Sequence, residues 1–181
     1  AMAVASPRVT SLAINQPINK EDLGGWRMHT RVSGLVDYAT DTDEEAIDLV
    51  KQFLSYLPSH ANEAPPTRDI PEGSGDAMDG ILDLVPEERQ KVYDVRSVIS
   101  AIVDKDSLFE LKPDYGKTAT TAFTRIAGRT VGFIANNPMF KGGAIDPDGC
   151  NKVTSFMVLC DSFNIPLVLL VDVPGFLIGV E

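Results

Sequence analysis

The sequence predicts an α/β fold containing a parallel βαβ unit, and three observations carry that expectation. "GRTVGFIANNP" (128–138) is an apolar strand run that ends on Asn-Asn-Pro. "PDGCNKVTSFMVLCDSFN" (147–164) repeats apolar residues at the spacing of a helix face. "IPLVLLVDV" (165–173) is almost continuously apolar, the pattern of a strand covered on both faces. Strand, Gly-rich loop, helix and strand in that order make a βαβ unit.

From the beginning of the chain, residues 1–34 hold two prolines and then "EDLGGWRMHTRVSG", and read as irregular. Leu35–Ala39 reads as a short strand. "TDEEAIDLVKQFLSYL" predicts a helix: Thr42 and Glu45 have capping-box spacing, and Ala46, Leu49, Val50, Phe53, Leu54 and Leu57 share one face. Pro58 stops it. Residues 58–80 carry Pro58, Pro65, Pro66 and Pro71 with three glycines and few large apolar side chains, which is linker composition. "YDVRSVISAIVD" predicts a helix on Val95, Val98, Ile99 and Ile102. "SLFEL" reads as a strand, and two strands flank a turn at Gly128. The helix after Asp146 presents Val153, Phe156, Met157, Cys160 and Phe163 to a core.

The net charge of −10 leaves no basic patch for phosphate neutralisation, so nucleic acid is excluded as an expected partner. Residues 61–90 alone hold eight acids against Arg68 and Arg89, a solvated run. No segment reaches the ~20 apolar residues of a membrane span. Cys150 and Cys160 fall on one helix at ten residues' separation, too far for a disulfide at ~1.5 Å rise per residue. With no recognisable signal peptide, this predicts a reducing, cytoplasmic setting. Both ends, "AMAVASPRV" and "GFLIGVE", read as cut from a longer polypeptide.

The chemistry-bearing stretch is "NNPMFKGGAIDPDGC" (136–150). Gly142, Gly143 and Ala144 lie between a buried strand and a helix whose start signal is Asp146–Pro147. Small residues there let a ligand approach the backbone. N–H groups near a helix start can bind an anion or an oxyanion that develops during reaction. A tight strand-to-helix turn capped by Asp146 explains the same residues without a ligand. Competing motifs fail. "YGKT" (115–118) lacks the first glycine of a phosphate-binding loop, because Leu111 stands there. No metal is expected, since His29 and His60 lack ligand spacing. There is no Gly-x-Ser-x-Gly elbow.

"GGWRMHTRVSG", "LSYLPS", "YDVRSVI", "GRTVGFIANNP", "CDSFNIPLV" and "VDVPGF" occur in this order. Together they resemble the carboxyltransferase (β) subunits of biotin-dependent acyl-CoA carboxylases, over nearly the whole chain. The resemblance implies crotonase-like α/β subdomains. Residues 1–60 would be the end of the first, 61–85 an acidic linker, and 86–181 the start of the second. It also implies a hexamer in the full-length form and a partner biotin carboxylase or biotin carrier subunit. The implied reaction moves a carboxyl group from carboxybiotin to the α-carbon of a short-chain acyl-CoA, with backbone amides facing two oxyanions. By the same resemblance, Gly24 and Gly25 form one amide pair and Gly143 and Ala144 the other. Asp146 lies beside the acyl pocket, and Trp26 stands where a small residue is commoner and would reshape that pocket. Gly142 belongs to the same approach, and Lys141 is placed to meet a CoA phosphate or a partner carboxylate. Two alternatives stay open: a biotin-linked acyl-CoA decarboxylase subunit, and a structural piece with no turnover of its own.

Overall fold

The computed structural model describes residues 1–88 and 91–178; Arg89 of the acidic run, Gln90 and the Gly179–Glu181 end of "GFLIGVE" lie outside them. Among the described residues one four-stranded sheet has the order β1 (Phe109–Leu111), β2 (Ala119–Ile126), β3 (Arg129–Asn136), β4 (Leu167–Leu170). β1–β2 and β2–β3 are antiparallel, and β3–β4 is parallel with Gly132 opposite Leu167 and Ala135 opposite Leu170. The parallel pair is joined by helix α6 (Pro147–Ser162), so the expected βαβ unit is present.

Ala127 and Gly128 both have positive φ (50° and 75°), the requirement of a primed two-residue hairpin turn. The Asp104 carboxylate accepts both turn N–H groups, at 3.0 and 2.7 Å. β2 is buried along most of its length although it carries three threonines. Thr121 Oγ1 donates to Leu111 O (3.3 Å) and Thr124 Oγ1 to Val131 O (3.1 Å). Two of the hydroxyls thus find main-chain acceptors inside the sheet.

Each face of the sheet carries its own apolar cluster. Helix α5 (Val95–Ile102) packs Val95 and Ile99 against Val131 and Phe133. On the other face, α6 contributes Phe156 and Cys160, and helix α4 (Asp43–Leu54) with the following Tyr56 contributes Phe53 and the Tyr56 ring. Phe123 is fully buried at the centre of that cluster, 5.7 Å from the Tyr56 ring and 5.2 Å from Phe156 between centroids. Glu45 N–H donates to Thr42 Oγ1 (3.2 Å), while the Glu45 carboxylate takes the Asp41 N–H (3.1 Å). The capping box is therefore displaced by one residue on its return arm.

The structure corrects several expectations. Residues 1–34 are not irregular: they form α1 (Pro7–Ile14), α2 (Lys20–Gly24) and α3 (Trp26–Arg31), all short, with Ser6 and Asn19 as caps of the first two. Leu35–Ala39 is not a strand; it is held by side chains, with the Tyr38 ring against Phe109 and its hydroxyl on Glu110 O. β4 is an edge strand rather than a doubly covered one, and Leu169 is 57 % exposed. Met157 is exposed, and Lys152 takes a place on the buried stripe with Gly149, Phe156 and Cys160. Within 58–88, Arg68 N–H bonds Gly128 O (2.8 Å) and Asp76–Leu84 forms a 3₁₀ helix beside α5. Both cysteines are free.

Candidate functional site

The Gly-rich corner begins where β3 ends. Asn137 is fully buried; its side-chain oxygen accepts the Met139 N–H (3.1 Å) and its carbonyl the Phe140 N–H (3.1 Å), which bends the chain off the sheet. Lys141, Gly142 and Gly143 then follow one another at positive φ (51°, 61°, 82°). Two of these three are glycine, the residue with no penalty there. The turn satisfies its own amides: Gly143 N–H donates to Phe140 O (2.9 Å) and Ala144 N–H to Lys141 O (3.2 Å). Either amide could meet an oxyanion only by exchanging these bonds. Gly142 faces open space, whereas Gly143 is buried against Asn136.

Asp146 closes the corner. One carboxylate oxygen accepts the Gly149 N–H (2.8 Å) and the Thr118 hydroxyl (2.8 Å); the other accepts the Lys141 ammonium (2.9 Å). Burial by itself would raise the pKa of this carboxyl. The Gly149 N–H, Lys141 and Thr118 outweigh it and hold the group below the usual carboxylate range. Asp146 is thus the N-cap of α6, and Lys141 meets a carboxylate of its own chain.

Gly24 and Gly25 lie at a second corner, the junction of α2 and α3. Gly25 N–H donates to Glu21 O (2.8 Å), and Gly25 O accepts the His29 N–H (3.2 Å). A Cβ on Gly24 would overlap the Met2 carbonyl, since Met2 N–H pairs with Gly24 O (2.7 Å). The first N–H groups of α3, at Trp26, Arg27 and Met28, have no acceptor within that helix. Trp26 is 44 % exposed, with the Arg27 and Arg31 guanidinium carbons 4.3 and 5.6 Å from its ring centroid. It borders a cavity of about 400 Å³ together with Gly24, His29, Tyr38 and Thr40.

Lys141, Gly142, Gly143, Ala144 and Asp146 are therefore brought together, and Gly24, Gly25 and Trp26 form a separate group. The two are connected through a relay. Arg31 approaches Asp114 (3.8 Å), Gly34 packs on the Tyr115 ring, and the Tyr115 hydroxyl donates to Asp148 (2.9 Å) in the first turn of α6.

Sequence reasoning missed a buried charge network that links α6, β1 and α5. Lys152 is 2 % exposed, and its ammonium lies 3.6 Å from Glu110, which also takes Arg96 Nε at 2.6 Å. Burial lowers the Lys152 pKa to about 8, against the opposing pull of Glu110. The available signal was spacing: 149, 152, 156 and 160 lie on one helical stripe. It also missed Asn136, whose side chain binds the backbone of Asp172 through two hydrogen bonds.

The family model described as "Carboxyl transferase domain" matches residues 1–181. The carboxyltransferase subunit of propionyl-CoA carboxylase from Haloferax mediterranei is 36 % identical over 180 residues, covering 99 % of this chain and 35 % of that protein. The methylmalonyl-CoA carboxyltransferase 12S subunit of Propionibacterium freudenreichii subsp. shermanii is 38 % identical over 184 residues, covering 99 % and 34 %. A solved transcarboxylase 12S structure, described as a hexamer with hydrolysed methylmalonyl-coenzyme A bound, superposes with a TM-score of 0.92 at 37 % identity, over 99 % of this chain and 35 % of that one. The chain spans about a third of the length of these relatives.

Proposed function

The chain belongs to the carboxyl transferase domain family, and from that premise we propose that its full-length protein transfers a carboxyl group from carboxybiotin to the α-carbon of a short-chain acyl-CoA. The observation that carries this reading is the family match over all 181 residues. The superposition on a transcarboxylase structure described as holding hydrolysed methylmalonyl-coenzyme A supports it. In this reading the fold is crotonase-like, and residues 1–60 and 86–181 are parts of two subdomains joined by 61–85. The α4–Tyr56 segment of the first packs on the sheet of the second. The full-length protein assembles as a hexamer in the cytoplasm with a biotin carboxylase or biotin carrier partner.

Carboxybiotin supplies the activated carboxyl group when its carrier docks. The chain's own task is to hold two acyl-type oxygens while negative charge develops on them. We assign the acyl-CoA thioester to the Gly24–Gly25 corner and the biotin ureido oxygen to the Gly143–Ala144 corner. The cavity of about 400 Å³ beside Gly24 and Trp26 is of a size for a small ligand group. There the Gly25 N–H must leave Glu21 O, and at the other corner the 3₁₀ bonds of Gly143 and Ala144 must open. Each such exchange costs about 1 kcal/mol, and an oxyanion donor contributes roughly 3–4 kcal/mol, so the exchange is favourable when charge appears. Asp146, the N-cap of α6, keeps Lys141 and the Gly143–Ala144 corner in place.

The test uses the full-length protein with its biotin-carrying partner, assayed against acetyl-, propionyl- and longer acyl-CoA. Biotin-dependent carboxylation, with kcat reduced about a hundredfold or more by Gly143→Val, is the expected result. Wild-type protein that carboxylates no acyl-CoA would refute the reading.

A further inference from the structure

The parallel pair β3–β4 does not end as a ladder. Its last main-chain pairing is Ala135 with Leu170. Beyond that, the side-chain amide of Asn136 takes the place of a peptide. Asn136 Nδ2 donates to Asp172 O (2.6 Å), and Asp172 N–H donates to Asn136 Oδ1 (2.8 Å). A side chain inserted between two parallel strands parts them at their carboxyl ends, the position where open α/β sheets form ligand crevices. Gly143 lies directly on that amide: a Cβ there would sit 2.6 Å from Asn136 Nδ2 and 3.5 Å from Asp172 O. The Gly-rich corner and the strand end are thus one packed unit.

The group held by this arrangement is the Asp172 carboxylate. The Tyr93 hydroxyl donates to Asp172 Oδ2 at 2.8 Å. Burial, then the hydrogen bond to Asp172, push the Tyr93 pKa up to about 12, so the phenol remains a neutral donor. Asp172 is exposed, and its Oδ1 accepts no hydrogen bond among the described residues. The result is a carboxylate whose backbone is clamped on both sides, with one oxygen anchored by a neutral donor and the other open. Such a group is a positioned hydrogen-bond acceptor.

We propose that Asp172 is a substrate-contacting residue that accepts an amide-type or urea-type N–H, and that Asn136 and Tyr93 are positioning residues that hold it. The proposal rests on the carboxyl-transfer reading, in which two reactants carry such groups: the pantetheine amides of an acyl-CoA and the ring of carboxybiotin. The experiment distinguishes the sources. Binding of propionyl-CoA and of the biotinylated carrier to the full-length protein is measured by calorimetry for wild type, Asp172→Asn, Tyr93→Phe and Asn136→Ala, beside the KM for each in steady state. Asp172→Asn keeps the shape and removes the charge. It is expected to weaken one of the two ligands tenfold or more while the other changes less than twofold, and the affected ligand identifies the donor. Tyr93→Phe should weaken the same ligand by about threefold, and Asn136→Ala should follow in the same direction with a lower kcat. Equal affinity of wild type and Asp172→Asn for both ligands overturns the proposal and leaves the carboxyl-transfer reading standing. A wild-type protein that binds neither ligand removes both. Parallel loss of both affinities with a lowered Tm would show a purely structural role and also overturn it.

Discussion

Replacing Asp146 by alanine removes the acceptor of Gly149 N–H, the partner of Lys141 and the partner of Thr118 in one change. A lost N-cap costs about 1 kcal/mol, and up to about 2 where the cap is well formed; denaturant unfolding of Asp146→Ala is expected to show a loss at the upper end. The Lys152 ammonium gives a pH-dependent prediction. Its folded pKa of about 8 lies below the ordinary 10.5. The folded state therefore releases the proton first, and stability rises as pH increases from about 8 towards 10.5. For this group alone the rise is on the order of 3 kcal/mol. Cys160, pushed up to about 12 by burial, acts in the opposite direction from pH 9 upward. The comparison that isolates Lys152 is Lys152→Met. Wild type should gain on this variant between pH 8 and 10 in parallel unfolding curves, and a constant difference would refute the buried-ammonium account.

At the scale of elements, the hairpin and the aromatic cluster decide how the sheet is fastened. Gly128→Ala places a Cβ against the Arg68 carbonyl at a φ of 75°. It should cost about 1–2 kcal/mol and detach residue 68 from the hairpin, read as faster amide exchange at Arg68. Phe123→Ala empties the centre of the cluster formed with Tyr56 and Phe156, with an expected loss of about 3–5 kcal/mol in unfolding free energy. α4, α5, α6 and the β2–β3 hairpin were legible because their apolar periods and caps are local signals. The helices α1–α3 were not. α1 buries none of its residues, and α2 and α3 bury only Gly24 and Thr30, so no apolar stripe marks them as it marks α5. Leu35–Ala39 is mostly apolar like a strand, yet among the described residues it pairs with no strand; Tyr38 holds it instead.

For the molecule as a whole, β4 leaves Leu169 and Val171 57 % and 74 % exposed at the sheet edge, and Phe176 is 73 % exposed beyond it. Apolar edge strands promote association. The 181-residue chain is expected to self-associate with rising concentration, and Leu169→Lys with Val171→Lys should shift sedimentation towards monomer. No described helix is long and apolar enough to cross a membrane. The order of motifs by itself determined the family and the parallel βαβ unit, because both are written in consecutive residues. It also placed the two glycine corners and the Asp146 cap. Only the tertiary structure decided that the Gly143 and Ala144 amides are bonded within their turn, that Lys152 is buried beside Glu110, and that Asn136 clamps Asp172. Those features join residues as far as 42 positions apart in sequence, between Glu110 and Lys152, or depend on the handedness of a single turn. Neither kind of contact leaves a periodic trace in the chain.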